Sequence, residues 1–140
     1  MNIPGDGLKD DEIRDILLRY KRVVVVGMSR NPSKAAHYVP KYLLENGYEI
    51  IPVNPVADEI LGLKVYKSLD EVPGDIEIID VFRPSNEVPN IVQTAIKKGV
   101  KVLWLQEGIY HPEVEKARNN GIICVWNRCM MKEHRRLLGK

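Results

Sequence analysis

The sequence predicts an α/β fold in which a doubly wound parallel sheet of about five strands forms a single domain. Five apolar segments alternate with amphipathic segments along the chain, and strands that alternate with helices pair in parallel through right-handed crossovers. Residues 23–26 are consecutive valines, as expected of a strand buried on both faces. A length of 140 residues is enough for one hydrophobic core and short for two domains.

The first half of the chain contains two predicted helices, each followed by a strand. A leading helix is predicted at residues 8–20, because its apolar residues recur on one face and acidic residues fill its first turn. The valine strand, residues 22–26, follows directly. Residues 33–47 predict a second helix that ends at a glycine and holds Pro40 near its first turn or at a kink. The strand at 49–53 contains a proline, which favours the edge of the sheet.

The second half of the chain repeats this pattern after an irregular connection at residues 56–75. Each predicted strand is a short apolar run bounded by turn residues, and each helix ends before a glycine. We treat residues 1–21 as a leading segment and residues 22–140 as the core of the domain. The remaining predicted strands are residues 76–82, 101–105 and 122–126, and the remaining helices are residues 86–98, 111–120 and 131–138.

The composition argues against several classes of protein. The formal net charge is only +2, and no apolar run approaches the roughly 18 residues that span a bilayer. Neither a nucleic acid nor a membrane is therefore predicted as a partner. The N-terminus is acidic, unlike a secretory signal, and two cysteines are too few for a disulfide scaffold. Together these features predict a cytoplasmic protein.

The junction after the first strand has the features of a phosphate-binding site. Gly27 allows a tight turn, and the helix that follows directs unpaired N–H groups and its positive dipole end toward an anion. The chain lacks the G-x-G-x-x-G pattern here, and it has Asn54 in place of the acidic residue that bonds the ribose of nicotinamide cofactors. A nucleotide-like ligand is therefore predicted, and an ordinary nicotinamide site is disfavoured.

The carboxyl ends of the strands define the expected site, because ligands in this fold class bind outside those ends. Most of the ends carry polar residues beside glycine or proline, a combination that lets a ligand approach the backbone. The alternative is that polar turn residues occupy these loops without any ligand. The strand ends are residues 27–31, 53–55, 82–85, 106–108 and 127–129.

Candidate catalytic and metal-binding residues are few. His37, His111 and His134 lie on different predicted helices, without a nucleophile at a recognisable spacing. Cys124, Cys129 and His134 are spaced unlike the ligands of a zinc site. We therefore expect neither a catalytic residue nor a metal ion. The basic residues of the last helix are interpreted as a solvated face.

Several motifs, taken in order, resemble those of the stand-alone coenzyme A-binding domain family. They are G-M-S-R-N-P-S-K after the first strand, I-P-V-N-P at the second, D-E-I-L-G and V-Y-K-S-L in the connection, D-V-F-R-P-S at the third strand, W-L-Q-E-G at the fourth and R-C-M near the C-terminus. This family is similar to the N-terminal coenzyme A-binding domains of the succinyl-CoA synthetase α subunit and of ADP-forming acyl-CoA synthetases. The resemblance covers residues 23–138 and implies a Rossmann-like fold.

The resemblance implies that coenzyme A is the ligand and assigns its contacts to the strand ends. The first loop would contact the phosphates, the second strand end the adenosine region, and the third and fourth ends the nucleotide and pantetheine. Cys129 is expected either near the coenzyme thiol or as a small buried residue. The implied contacts are Gly27, Met28, Ser29, Arg30, Asn31, Pro32, Lys34, Val53, Asn54, Pro55, Phe82, Arg83, Pro84, Gln106 and Glu107.

The function that the resemblance implies is binding of coenzyme A or an acyl-CoA without acyl transfer by the chain alone. The related ligase subunit keeps its phosphorylated histidine in a second domain, for which this chain has no counterpart. Two alternatives stay open. One is an oxidoreductase or redox sensor that uses NAD(P). The other is a coenzyme A-binding subunit of a multi-chain acyl-CoA synthetase, with a ligase subunit or a second copy of the chain as its partner.

Overall fold

A parallel sheet flanked by helices organises the computed structural model, which describes residues 2–139. Five strands form this sheet in the order β2-β1-β5-β6-β7, and every neighbouring pair is parallel, which confirms the predicted α/β fold. Two further strands, β3 and β4, form a separate antiparallel hairpin. Within residues 2–139 the strands are β1 (Arg22–Val26), β2 (Glu49–Val53), β3 (Glu59–Ile60), β4 (Leu63–Lys64), β5 (Ile78–Val81), β6 (Val102–Leu105) and β7 (Ile123–Val125).

Helices cover both faces of the sheet, so the sheet is doubly wound as predicted. Within residues 2–139 they are α1 (Asp10–Arg19), α2 (Ala35–Glu45), α3 (Val88–Lys98), α4 (Val114–Asn119) and α5 (Met130–Leu137). The first, second and fifth pack on one face through residues such as Leu17, Leu43 and Met130. The third and fourth pack on the other through Val92 and Val114. No helix within residues 2–139 is long and apolar enough to cross a membrane.

The four valines of β1 divide between the two cores. Val23 and Val25 pack against the face that carries α1, α2 and α5, and Val24 and Val26 pack against the face that carries α3 and α4. Successive side chains of a strand point to opposite faces. A strand covered on both faces therefore needs an apolar residue at every position, which is why the run is continuous.

The strand order reverses direction between β1 and β5. From β1 the chain moves outward to β2 and then to Tyr66, which forms one parallel bridge with Val53, before it returns to β5 on the other side of β1. The Tyr66 N–H donates to the carbonyl of Pro52 at 3.0 Å, so the backbone polar atoms of residue 52 face away from β1. The predicted edge position of β2 is confirmed. A ligand crevice is expected where the order reverses.

Helix α2 contains Pro40 as its sixth residue, in the second turn. Proline lacks the N–H that would bond the carbonyl four residues earlier. That carbonyl belongs to Ala36, and it accepts the N–H of Ser29 instead, at 3.1 Å. Because Pro40 has no N–H, the carbonyl of Ala36 is free to accept a bond from the loop after β1, and this bond fixes that loop to the start of α2.

Most predicted elements are shorter by one to a few residues in the structure, and β5 and α4 are two examples. β5 begins at Ile78 rather than at residue 76; on the side of β1, the carboxylate of Glu77 rather than its backbone accepts the N–H of Lys21, at 2.8 Å. α4 begins at Val114 rather than at residue 111. There the ring of His111 accepts the N–H of Glu113 at 3.0 Å and shapes a turn before the helix.

A buried ion pair fastens the N-terminal segment to the loop after β7. Asp6 is 4% exposed and accepts two hydrogen bonds from Arg128, both at 2.8 Å. The N–H groups of Leu8 and Trp126 also donate to the Asp6 carboxylate. Burial by itself would raise the pKa of Asp6, but the bonds from Arg128 and the two N–H groups outweigh it and lower the pKa.

Asp6→Asn should lower the free energy of unfolding at pH 7 by about 3 kcal/mol, because it removes the buried carboxylate that Arg128 bonds twice and leaves Arg128 only the carboxylate of Glu133, at 3.6 Å. The pKa of Asp6 is lower in the folded than in the unfolded chain. The stabilisation is therefore complete above the unfolded pKa of about 4 and is lost as the pH falls through the folded pKa. Urea unfolding of both proteins between about pH 2 and 7 measures this.

Asp10→Asn is the matched control, because Asp10 makes a similar paired contact with Arg136 at the surface. Exposed ion pairs contribute little to stability, so this variant should change the free energy of unfolding far less than Asp6→Asn. Equal losses in the two variants, or a loss in Asp6→Asn that grows as the pH falls below 4, would contradict the assigned role of the buried pair.

Candidate functional site

Two cavities open beside the ends of β1, β2, β5 and β6 at the carboxyl edge of the sheet, one on each face. Cavity A, of about 340 Å³, lies on the α3 face and is bounded by the ends of β1 and β2, by α3 and by residues 67–70. Cavity B, of about 250 Å³, lies on the opposite face, between the starts of α2 and α5 and the ends of β5 and β6. Strand ends and helix starts thus converge where ligands bind in this fold class.

The residues implied as coenzyme contacts distribute between the two cavities and the loops around them. Gly27, Val53, Pro55 and Arg83 line cavity A, whereas Phe82, Gln106 and Glu107 line cavity B. The remaining ones, Met28, Ser29, Arg30, Asn31, Pro32, Lys34, Asn54 and Pro84, line neither cavity.

Gly27 lies where β1 meets β5, between the two cavities. Its φ is 87°, and a Cβ added to it would lie 2.7 Å from Arg83 Cδ and 3.0 Å from the Phe82 carbonyl oxygen. The first clash could be relieved by moving a side chain, but the second involves backbone. Only glycine fits here. We call Gly27, Phe82 and Arg83 the saddle, because Phe82 lines cavity B and Arg83 lines cavity A.

The loop from Ser29 to Lys34 is held by its own hydrogen bonds. The N–H of Asn31 donates to Ser29 Oγ at 3.0 Å, and the N–H and hydroxyl of Ser33 both donate to Asn31 Oδ1. The side chains of Ser29 and Asn31 therefore shape the loop. The loop leads into α2, whose first turn presents unpaired N–H groups and a partial positive charge at this edge.

Asn54 joins the loop after β2 to the loop after β1. Its Oδ1 accepts the N–H groups of Val56 and Ala57, and its Nδ2 donates to the carbonyl of Met28 at 2.9 Å. Both polar atoms of the Asn54 amide therefore form hydrogen bonds within the protein. The Met28 side chain is fully buried in the core, so only the backbone of this residue lies near the predicted site.

Cavity A is also lined by residues that the sequence analysis did not assign as ligand contacts, although Lys67, Ser68 and Leu69 belong to the V-Y-K-S-L motif. Among them, Lys67 donates from Nζ to the carbonyl of Ala57 at 2.7 Å and to the carboxylate of Asp58 at 2.8 Å. The bridge that Tyr66 makes with β2 brings this lysine to the cavity, and that contact between distant residues has no local signature. The other such residues are Val26, Ser68, Leu69, Asp70, Glu87, Asn90, Ile91 and Thr94.

The cations around cavity A differ in their pairing. Arg83 donates to Glu87 at 3.0 and 2.6 Å, and this bond raises the pKa of Arg83. Arg30 and Lys34 are exposed, and within residues 2–139 no hydrogen bond or salt bridge engages either side chain. The first loop therefore carries the two cations whose charges are not already compensated.

Cavity B has a largely apolar lining above a buried polar pair. Ala35, Val39 and Met131 are among its lining residues, together with Gln106. The Nε2 of Gln106 donates to Asp80 Oδ1 at 2.5 Å. Asp80 is fully buried, and its Oδ2 is the one buried side-chain oxygen or nitrogen in residues 2–139 without a partner. Burial raises the pKa of Asp80 to about 7, although the bond from Gln106 opposes this.

Cys129 lies at the start of α5 and lines cavity B. It is 6% exposed, and burial raises the pKa of its thiol. A raised pKa disfavours the reactive thiolate. The position agrees with the expectation of a thiol near the end of the ligand, and the burial agrees with the alternative of a small packing residue.

The histidines examined as catalytic candidates make structural contacts. His37 Nδ1 lies 2.7 Å from the Ser29 carbonyl oxygen, which helps to hold the first loop. His134 Nδ1 lies 2.7 Å from the Tyr42 hydroxyl and joins α5 to α2. Within residues 2–139, no group of three or more His, Cys, Asp or Glu side chains is arranged to hold a metal ion.

A doubly wound parallel sheet, a glycine at the point where the strand order reverses, and a loop fixed to a helix N-terminus define a Rossmann-like nucleotide-binding fold. Residues 21–135 match the family described as CoA binding domain. The chain therefore belongs to the coenzyme A-binding domain family, as the motifs predicted.

Relatives include small proteins and much larger enzymes. The Bacillus subtilis protein YneT is 39% identical over 124 residues, which cover 88% of this chain and 92% of YneT. A solved structure of a hypothetical protein from Pyrococcus horikoshii OT3 matches with a TM-score of 0.93 and 48% identity, covering 99% of each chain. The ADP-forming acetate–CoA ligase of Methanocaldococcus jannaschii is 37% identical over 92 residues, which cover 63% of this chain but only 13% of the ligase.

Gly27→Ala should destabilise the protein more than Gly47→Ala. Both glycines have positive φ, 87° and 92°, so each substitution carries a backbone cost of about 1–2 kcal/mol. Only at Gly27 does the new Cβ meet other atoms; at Gly47 nothing lies within 4 Å. We expect Gly27→Ala to lower the free energy of unfolding by roughly 1–3 kcal/mol more than Gly47→Ala does. Urea unfolding followed by circular dichroism measures the difference, and equal losses would mean that the saddle tolerates a side chain.

Proposed function

We propose that this chain binds coenzyme A or an acyl-CoA across the carboxyl edge of its sheet, without transferring acyl groups by itself. The observation that carries the proposal is the position of cavities A and B, which lie beside each other at the saddle, where the strand order reverses. Coenzyme A is elongated, with a nucleotide at one end and a thiol at the other. A ligand of this shape suits two pockets joined by a phosphate-binding region.

The nucleotide end is assigned to cavity A. In this fold the adenosine lies beside the end of the second strand, and Val53 at that end lines cavity A. Leu69 and Ile91 supply apolar surface for the adenine, and the side-chain amide of Asn90 supplies hydrogen-bond donors and an acceptor. The cavity therefore offers both the apolar and the polar contacts that a nucleotide requires.

The phosphates are assigned to the region between the saddle and the N-terminus of α2. The unpaired N–H groups and the helix dipole attract anions there. Coenzyme A carries a 3′-phosphate besides its diphosphate, so cations are needed as well. Arg30 and Lys34 have uncompensated charges on the first loop, whereas Arg83 is paired with Glu87. The first two are therefore the preferred phosphate ligands.

Binding of NAD(P) is the alternative that the geometry disfavours. A nicotinamide site of the usual kind has an acidic residue at the end of the second strand, where it bonds the ribose hydroxyls. This chain has Asn54 at that position, and both polar atoms of its amide are bonded within the protein. An oxidoreductase or redox sensor is accordingly not proposed.

The relation to ligases supports a binding role. The Methanocaldococcus jannaschii relative is named an acetate–CoA ligase, and this chain corresponds to 13% of its length. We infer that the shared part supplies coenzyme binding, while acyl activation belongs to the rest of that enzyme. The chain would act in the cytoplasm, either alone or beside a separate ligase subunit.

Calorimetric titration tests the proposed ligand. Coenzyme A should bind with one molecule per chain and raise the melting temperature, because a ligand specific for the folded state stabilises it by mass action. NAD and NADP at the same concentrations should do neither. Tighter binding of NAD than of coenzyme A would overturn the assignment.

Arg30→Ala and Lys34→Ala should each weaken coenzyme A binding by at least about tenfold, because a charge-assisted contact to phosphate contributes roughly 1.5–3 kcal/mol. One of the two should also reduce the preference for coenzyme A over dephospho-coenzyme A. Lys41→Ala, at an exposed position in the body of α2, is the matched control and should bind normally. Unchanged affinity in both loop variants would assign phosphate binding to backbone N–H groups alone.

A further inference from the structure

Cavity B lies across the saddle from the nucleotide cavity. Phe82 lines cavity B and the next residue, Arg83, lines cavity A. Phe82 and Arg83 are consecutive and both pack against Gly27, so the two cavities lie beside each other at the same strand end. The two cavities are therefore available to the two ends of one elongated molecule.

The lining of cavity B suits an uncharged chain with one polar group. Ala35, Val39 and Met131 present aliphatic surface, and Phe82 adds an aromatic ring. Gln106 is the polar residue of the lining that is itself buried, at 5% exposure. The charged pair of Lys132 and Glu107, by contrast, is exposed.

The amide of Gln106 retains donor capacity toward the cavity. A side-chain NH₂ has two N–H groups, and the bond to Asp80 Oδ1 uses one of them. Asp80 is fully buried, and its Oδ2 has no partner. The bond from Gln106 to Asp80 therefore fixes the amide from its buried side. The second N–H has no acceptor within residues 2–139 and is free to donate to a carbonyl oxygen of a ligand.

We propose that cavity B receives the thioester and a short acyl chain, so that the preferred ligand is an acyl-CoA rather than free coenzyme A. This inference rests on the proposed function. The Gln106 amide binds the thioester carbonyl, and the aliphatic lining surrounds the chain. A volume of about 250 Å³ accommodates about eight water-sized groups, at roughly 30 Å³ each. The thioester and an acyl group of about four carbons fill that space.

Titration with coenzyme A, acetyl-, butyryl- and octanoyl-CoA tests the inference. Each buried methylene should strengthen binding about fourfold, so butyryl-CoA, with two more methylenes, should bind about sixteen times more tightly than acetyl-CoA. Octanoyl-CoA should bind no more tightly than butyryl-CoA, because its acyl chain is too long for cavity B. Equal affinity for coenzyme A and butyryl-CoA, with coenzyme A bound, would overturn this inference alone. Absence of binding by every one of these compounds would overturn the proposed function and this inference together.

Two variants connect the preference to cavity B. Ala35→Leu narrows the cavity at an exposed position outside the core and should abolish the gain from the butyryl chain, measured as the ratio of the affinities for butyryl-CoA and coenzyme A in the same variant. Met131→Ala enlarges the cavity and should move the optimum to a longer chain. Lys41→Leu, on the same helix but away from the cavity, is the control for Ala35→Leu and should keep the wild-type preference. A butyryl preference that survives Ala35→Leu and Met131→Ala unchanged would place the acyl chain elsewhere.

Discussion

The absence of a side chain at Gly27 is the constraint on which the binding edge depends. The Phe82 N–H bonds the Val26 carbonyl at 2.9 Å, and the Gly27 N–H bonds the Val53 carbonyl at 3.0 Å. The turn after β1 is thus tied to both neighbouring strands, and neither can withdraw to admit a Cβ. Cavities A and B lie on opposite faces of the sheet at this turn, because Arg83 lines one and Phe82 lines the other. The proposed binding of an elongated coenzyme rests on this close placement of the two cavities.

The loop beside the saddle is ordered before any ligand arrives. Pro40 removes one hydrogen bond from α2, and the Ala36 carbonyl so released accepts the Ser29 N–H. Asn31 and Asn54 close the neighbouring turns with their side chains. A loop that is already fixed loses little conformational entropy on binding. Local sequence features that weaken helix or strand, a proline and two asparagines, therefore serve to hold the site.

Local patterns in the sequence predict the sheet, the helices and the edge where the cavities open, because strand and helix signals act over a few residues. Gly99, for example, ends α3 with φ of 64° as its position predicts. Contacts made by distant segments leave no such pattern. Lys67 reaches cavity A only through the bridge between Tyr66 and β2. The buried Asp80 beneath cavity B stands in an apolar strand, and its role is visible only from its bond to Gln106.

The central claim is that one coenzyme A molecule crosses the saddle from cavity A to cavity B. A crystal structure of the complex with coenzyme A measures this most directly. We expect the adenine in cavity A, the diphosphate within hydrogen-bond distance of the first N–H groups of α2, and the thiol in cavity B. A coenzyme whose diphosphate lies away from Gly27, or which binds at the opposite edge of the sheet, would contradict the claim.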